Sequence, residues 1–303
     1  MPSIQIIVVG FAVFQIKDRD FQKLVLPSTY AANPCDNDGV LSDSEPHIQA
    51  CILGGVAHVC GLEALTEAQM NLARSTFGQP DNMMSQDLFD KISTDEILGR
   101  SETLQTLDRN SFVEYFIEAR RAVWEKWTSE GRIETKPFAL DYLNELRTSE
   151  RLFGLVTGMP FDIAAESVKH ILKAEDILPL TRERRVCCDD IRLEGRGKPD
   201  PLCYDLAVDH FIEKFDISPQ DMWVIEDRAN GAVAALSAGC KNVTSKYFGQ
   251  KIGKVIVIPD ANDGVPLKLW DKKLFMENLL ANNPEDLKRL YFLRSLEDLS
   301  FSK

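Results

Sequence analysis

The spacing of apolar positions changes character along the chain, and each change marks a different kind of element. From residue 137 onward short apolar runs alternate with helical stretches. They are "LFGLVTG" at 152–158, a helix over about Phe161 to Ala174, "RRVCC" at 184–188, a second helix, "MWVIED" at 222–227 and a further helix. Strands alternating with helices predict a parallel α/β sheet. Between about 50 and 134 the pattern is helical throughout: Phe112, Phe116, Ala119, Val123 and Trp127 recur at spacings of three and four and draw one apolar stripe along a long helix. Trp124 and Trp127 are expected to pack within that helical block. An all-helical block between two α/β pieces predicts an insertion, with the α/β core formed by 1–48 plus 135–303 and the helical part by 49–134. Pro46 and the stretch from Gly131 to Pro137 supply the interruptions, because Gly and Pro break helices.

The ends extend this picture. "KVIVIPD" at 254–260 reads as a strand and "PEDLKRLYFLRSLEDL" at 284–299 as a helix, together closing the α/β layer. Near the N-terminus "SIQIIVVGFAVFQI" is shorter than the ~20 residues of a membrane span and lacks the basic flank of a signal peptide, so it reads as an added β element. Composition is that of an ordinary globular chain, 44% hydrophobic and 27% charged over 303 residues. A net charge of -12 argues against a nucleic-acid or anionic-membrane partner, which needs clustered Lys and Arg. The seven cysteines have no zinc-site spacing and predict reduced thiols in a cytoplasmic protein. Vicinal Cys187 and Cys188 read as strand packing, and His210 as a partly buried core residue on a helix face.

Candidate chemistry begins with "CDNDGVLSDSEP" at 35–46. If Asp36 ends a strand, the turn through Gly39 aims Asp36 and Asp38 at one point. Like charges so close are costly without a cation, and a hard dication such as Mg²⁺ binds through one or two carboxylates while keeping positions free for a phosphate oxygen. Taken alone, an Asp- and Asn-rich surface turn explains the stretch equally well. Three later segments shift the balance. Thr157 and Gly158 end an apolar strand just ahead of Pro160, where a hydroxyl and free N–H groups at a helix start make an anion site. Lys198 lies in "GRGKPDPLCY", a loop from which its ammonium could neutralise a phosphoryl group. Glu226 and Asp227 end a buried strand, where metal ligation accounts for an acidic pair better than solvation does. Asp189 and Asp190, at the end of another strand, are candidates to support Lys198 or the metal's surroundings.

These four segments, in this order and at this spacing, resemble the haloacid dehalogenase-like (HAD-like) superfamily, in its phosphatase and β-phosphoglucomutase-like branch with a helical cap. The likeness is carried by "DNDGVLSDSEP", "LVTG", "GRGKPDPLCY" and "VIEDRANGAVAALSAG", and it covers about 35 to 240. It implies a Rossmann-like parallel α/β core with residues 49–134 as the cap. The implied activity is a Mg²⁺-dependent phosphatase acting on a small phosphorylated metabolite, by default a sugar or polyol phosphate. By resemblance Asp36 is the nucleophile that becomes an aspartyl-phosphate, and Asp38 the general acid and base. Thr157, Gly158 and Lys198 hold the phosphate; Asp36, Asp38, Glu226 and Asp227 hold the metal. The cap positions that the resemblance marks are Gly99 and Arg100 in "LGRSETLQTL", with His47 near the hinge.

Departures from the family pattern carry their own expectations. Pro34 stands in what relatives have as a central strand and predicts a short or distorted first strand. Arg228 stands where Ser is usual, which would alter how metal-bound water is held. In "EPHI" the order places Ile48 toward the site and leaves His47 as a hinge surface residue. Asp38 and the Glu226/Asp227 pair weigh against a dehalogenase. A phosphosugar mutase of the β-phosphoglucomutase type is the alternative, disfavoured because Glu102 would repel a second phosphate, with Arg100 as partial compensation. A non-catalytic phospholigand-binding protein is the second alternative, since a fold does not by itself establish activity.

Overall fold

The structure is a computed structural model, and it describes residues 21–74, 81–94, 108–175, 179–191, 196–259 and 284–302. The expected N-terminal β element at 3–16 lies outside these residues. The chain divides into two compact units, Met1–Asp43 with Glu134–Lys303, and Ser44–Ile133. The sequence placed the divisions at 48/49 and 134/135. They fall at 43/44 and 133/134 because the helix carrying Pro46 already begins at Glu45 and belongs wholly to the inserted unit. Within the first unit the departing and returning strands of chain run side by side, joined by Asp43 N–H to Glu134 O at 2.8 Å and by a Lys136–Asp43 ion pair at 2.7 Å.

The first unit is built on parallel strands. β2 (Ala32–Cys35), β3 (Leu152–Val156) and β4 (Arg185–Val186) form one ladder in the order β4-β3-β2; β5 (Trp223–Glu226), β6 (Lys254–Val257) and β7 (Leu290–Phe292) form a second. They join between β2 and β5 through a parallel Ala32–Met222 bridge. Apart from Glu226 at the end of β5 and Lys254 at the start of β6, both sequences are apolar, as expected of parallel strands covered on both faces. Two helices complete the core: Leu202–Phe215, which buries Tyr204, Val208 and Phe211, and Ala229–Ser237, whose small side chains bring its backbone close to the sheet. From β2 the chain proceeds outward to β3 and β4, then returns to lay β5 on the other side of β2. Such a reversal opens a crevice at the carboxyl ends of the strands.

β2, with the sequence ANPC, is fully buried in the middle of the sheet although it is a poor strand former. Its pairing with β3 is regular, from Ala32 opposite Leu152 to Cys35 opposite Leu155. On the β5 side, Pro34 brings no N–H, and the main-chain donors skip from Ala31 (to Asp221 O, 2.9 Å) to Asp36 (to Ile225 O, 3.2 Å). The side chain of Asn33 fills the gap, its amide donating to Trp223 O at 2.7 Å. Tyr142 O–H donates to the Asn33 carbonyl at 2.9 Å, and Trp223 Nε1–H donates to Tyr142 at 3.0 Å. The strand is thus short, and a buried polar triad stands in for part of its ladder.

Four local expectations need correction. Residues 284–299 do not form a helix: Pro284–Arg289 is 3-10, Leu290–Phe292 becomes β7, and β8 (Leu299–Phe301) pairs with β1 (Leu24–Leu26). Burial of Leu290 and Phe292 beside β6 outweighs the helical spacing of their neighbours. The strand over 184–188 stops at Val186, because the Asp190 carboxylate accepts from Cys187 N at 2.8 Å and turns the chain into the short helix Cys188–Ile191. The helix from Phe161 is α-helical to Glu166 and widens to a π turn over Ser167–Leu172. In the inserted unit the helix Arg109–Ser129 buries Phe112, Phe116, Trp124 and Thr128, leaving Trp127 half-buried. That unit has its own core, in which Phe112 and Phe116 meet Ile52, Val56, Met84 and Leu88.

Candidate active site

Three strand ends supply the crevice. β2 delivers Asp36 as the next residue, β3 delivers Thr157, and β5 ends in Glu226 followed by Asp227. Carboxylate oxygens of Asp36, Glu226 and Asp227 all lie within 4.8 Å of one another, and all three residues are buried. Residues 36, 157, 198, 226 and 227 therefore share one end of one sheet within the first unit.

Lys198 draws these ends together. Its Nζ lies 2.7 Å from Glu226 Oε1, 3.1 Å from Asp36 Oδ2 and 3.2 Å from Val156 O, the carbonyl just before Thr157. Burial works against the Lys198 ammonium, yet the carboxylates of Asp36 and Glu226 outweigh it and hold its pKa above the ordinary lysine value. For Glu226 burial is the stronger influence: it raises the pKa, opposed by Lys198 and reinforced by Asp36. Tyr204 O–H donates a hydrogen bond to Glu226 Oε1, and burial together with Glu226 keeps that phenol protonated.

The loop after β2 is locked by its own hydrogen bonds. Asp36 Oδ1 accepts from Asn37 N–H at 2.9 Å, which leaves Oδ2 toward Lys198. Gly39 N–H donates to Ser42 O at 3.0 Å, while Leu41 and Ser42 N–H both return to Asn37 O. The fully buried Asn37 amide donates to Ser167 Oγ at 3.1 Å and Ser42 Oγ at 3.2 Å, and lies 3.4 Å from Asp38 Oδ1. Asp38 itself is half-buried. Thr157 is buried, its Oγ1 accepting from Met159 N–H at 3.1 Å, whereas Gly158 is exposed with open space above its Cα.

The residues fit a hard dication. Carboxylate oxygens are the donors such an ion prefers, and two glycines make their approach possible. A Cβ on Gly39, whose φ is +73°, would lie 2.1 Å from Asp227 Oδ2; one on Gly231 would lie 2.1 Å from Glu226 Oε2. The acidic cluster is packed against bare backbone at both places. Asp36, Glu226 and Asp227 could hold Mg²⁺ with their side chains.

Some residues fall elsewhere. Asp189 does not support Lys198: its carboxylate accepts from Phe161 N–H at 2.7 Å at the start of the following helix, and Asp190 is engaged with Cys187 N–H. His47 lies on the inserted unit's helix Glu45–Val59 with its ring edge-on to Trp127 at 5.6 Å. Gly99, Arg100 and Glu102 lie outside the described residues. Sequence reasoning did not single out Tyr204, Asn37 or Gly231. Tyr204 and Gly231 sit inside the quoted motifs, but nothing in their spacing says which carboxylate they meet.

Solved structures similar to this chain share its fold. CbbY from Rhodobacter sphaeroides, in complex with phosphate, superimposes with a TM-score of 0.53 at 18% identity, over 76% of this chain and 86% of that one. A protein assigned as a β-phosphoglucomutase from Thermotoga maritima gives 0.55 at 21% identity, over 88% and 95%. A protein predicted to be a phosphoglycolate phosphatase from Haemophilus somnus gives 0.57 at 18% identity, over 81% and 92%. In sequence, a haloacid dehalogenase-like hydrolase domain-containing protein of Arabidopsis thaliana is 24% identical over 182 residues, covering 57% of this chain and 52% of that protein. The match thus spans about half the length of that curated relative. The family profile of haloacid dehalogenase-like hydrolases matches residues 35–239, from the residue before Asp36 to the end of the segment carrying Asp227, and the chain belongs to that family.

Proposed function

We propose that this protein is a Mg²⁺-dependent phosphatase that hydrolyses a small phosphate monoester, a sugar or polyol phosphate, through an aspartyl-phosphate at Asp36. The observation that carries the reading is the buried Lys198 ammonium bridging Asp36 and Glu226, with Asp227 completing a three-carboxylate cluster. An arriving phosphate meets positive charge there although the chain as a whole carries -12. When bound, Mg²⁺ offsets the repulsion between the Asp36 carboxylate and the phosphate oxygens.

Asp36, oriented by Asn37 N–H, attacks phosphorus in line; the P–O bond to the leaving alcohol breaks as a carboxyl–phosphate bond forms. Asp38 gives its proton to the leaving oxygen, then takes one from the water that attacks the aspartyl-phosphate, and inorganic phosphate leaves with Asp36 regenerated. Lys198, the Thr157 hydroxyl and the main-chain N–H of the exposed Gly158 stabilise the equatorial oxygens during both transfers. The helical unit is assigned the role of cap, selecting the leaving group. Seven free cysteines support a reducing, cytoplasmic setting. Among the described residues no helix is long and apolar enough to cross a membrane.

The test is phosphate release from a panel of phosphorylated metabolites with and without Mg²⁺, comparing the unmodified protein with Asp36→Asn. Mg²⁺-dependent turnover that disappears in the variant is expected; equal turnover in both proteins would refute the assignment of Asp36. Supplying a hexose phosphate with a bisphosphate activator separates hydrolase from mutase, since free phosphate is expected and an accumulating isomer would reverse the choice.

A further inference from the structure

The acidic cluster contains a second cation that the proposed reaction does not use. Arg228 follows Asp227 directly and begins the helix Ala229–Ser237 from an extended backbone, φ -120° and ψ 153°, with no side-chain hydrogen bond capping that helix. Its Nε lies 3.7 Å from Asp227 Oδ2, and its side chain is only 26% exposed. That oxygen is the one that packs against the bare Cα of Gly39. Lys198 serves the other two carboxylates, Asp36 and Glu226. The three carboxylates of the cluster are therefore matched by two built-in positive charges, and each carboxylate has a cation within 4 Å.

We propose that Arg228 is an internal competitor for the divalent cation: by holding positive charge against Asp227 it weakens metal binding and makes occupancy respond to the free Mg²⁺ concentration. The physical reason is that a dication entering the cluster gains from the Asp227 charge but meets repulsion from a guanidinium, which cannot deprotonate to relieve it. Lys198 has a compensating use, because it faces the phosphate in the proposed reaction. Arg228 is three bonds along the backbone from a ligand and faces that ligand instead. A small neutral residue at this position would leave Asp227 entirely to the metal. The inference rests on the Mg²⁺-dependent reading above, and it is tested without turnover.

Titration calorimetry with Mn²⁺ and Mg²⁺ on the full chain separates the possibilities, using the unmodified protein, Arg228→Gln, Arg228→Ser and Arg228→Lys. Loss of the charge in the Gln and Ser variants is expected to tighten the dissociation constant about tenfold, while Lys, which keeps the charge, stays near the unmodified value. The gap between charged and neutral variants is expected to narrow at high salt, as an electrostatic effect does. Gln and Ser variants that bind the ions no more tightly than the unmodified protein would overturn the inference and leave the phosphatase reading standing. Absence of binding in all four proteins would overturn both. Circular dichroism of each variant confirms that the fold is retained.

Discussion

Lys198 and Glu226 form an ion pair at the carboxyl end of the sheet, 2.7 Å apart, with only 1% of the Glu226 side chain and 13% of the Lys198 side chain exposed. The pair ties a loop residue to a strand end, and the same ammonium reaches Asp36 on the neighbouring strand. Two carboxylates and one ammonium share a space from which water is largely excluded, so removal of Lys198 leaves two buried carboxylates without their shared counter-charge.

Lys198→Met is expected to destabilise the metal-free protein by about 3–5 kcal/mol, because Asp36 and Glu226 then repel each other without a buried cation. Urea unfolding measures this directly. Added Mg²⁺ is expected to recover part of the loss, since a bound ligand stabilises the folded state. A variant as stable as the unmodified protein would show that the pair is not energetically coupled.

Gly39 and Gly54 offer a paired comparison. Gly39→Ala places a Cβ 2.1 Å from Asp227 Oδ2 at a φ of +73°, so it is expected to lose metal binding and about 1–2 kcal/mol from the backbone conformation alone. Gly54 lies in the helix Glu45–Val59 with open space around it, and Gly54→Ala is expected to gain up to about 1 kcal/mol. Opposite signs in thermal unfolding are the readout.

Asn33→Ala removes both the donor to Trp223 O and the acceptor for Tyr142 O–H. Leaving two buried polar groups unsatisfied is expected to cost about 3 kcal/mol. Tyr142→Phe, which keeps the Asn33–Trp223 bond, is expected to cost less. A double-mutant cycle between the two positions measures their coupling.

Burial raises the thiols of Cys51, Cys187 and Cys203 to about 12 and that of Cys60 to about 11, from an ordinary 9.0, and Cys35 well above it. Below about pH 7 neither the folded nor the unfolded chain ionises these groups appreciably, so stability is unaffected by them. Above that and up to about 12 the unfolded chain ionises first, and stability is lost as pH rises. Alkylation by iodoacetamide at about pH 8 is expected to be at least ~100-fold slower at these five positions in the native protein than in urea. Peptide mapping reads the site-by-site rates, and native rates equal to those in urea would contradict the burial argument.

The motifs of the proposed site are readable in the sequence because their chemistry is local. A carboxylate pair flanking a glycine turn, a Thr–Gly at a strand end and a Lys among prolines are each short enough for residue type and spacing to limit what they can do. Capping and competition between elements were not legible in the same way. "LYF" within 290–292 carries helical spacing on both sides, and only the ladder it completes beside β6 decides that it pairs as a strand. Trp124 and not Trp127 is buried, because it continues the spacing of four that sets Phe112, Phe116 and Thr128 on the buried side of the same helix.

The sequence by itself determined the alternation of strands and helices, the helical insertion and the identity of the residues at the strand ends, since periodicity and turn chemistry are properties of neighbours along the chain. Tertiary structure alone decided that Lys198 bridges Asp36 and Glu226, that Asn33 completes a ladder Pro34 interrupts, and that Arg228 turns toward Asp227. These partners are brought together by the order in which parallel strands are laid side by side, so their pairing energies depend on burial and on distances that no spacing along the chain encodes.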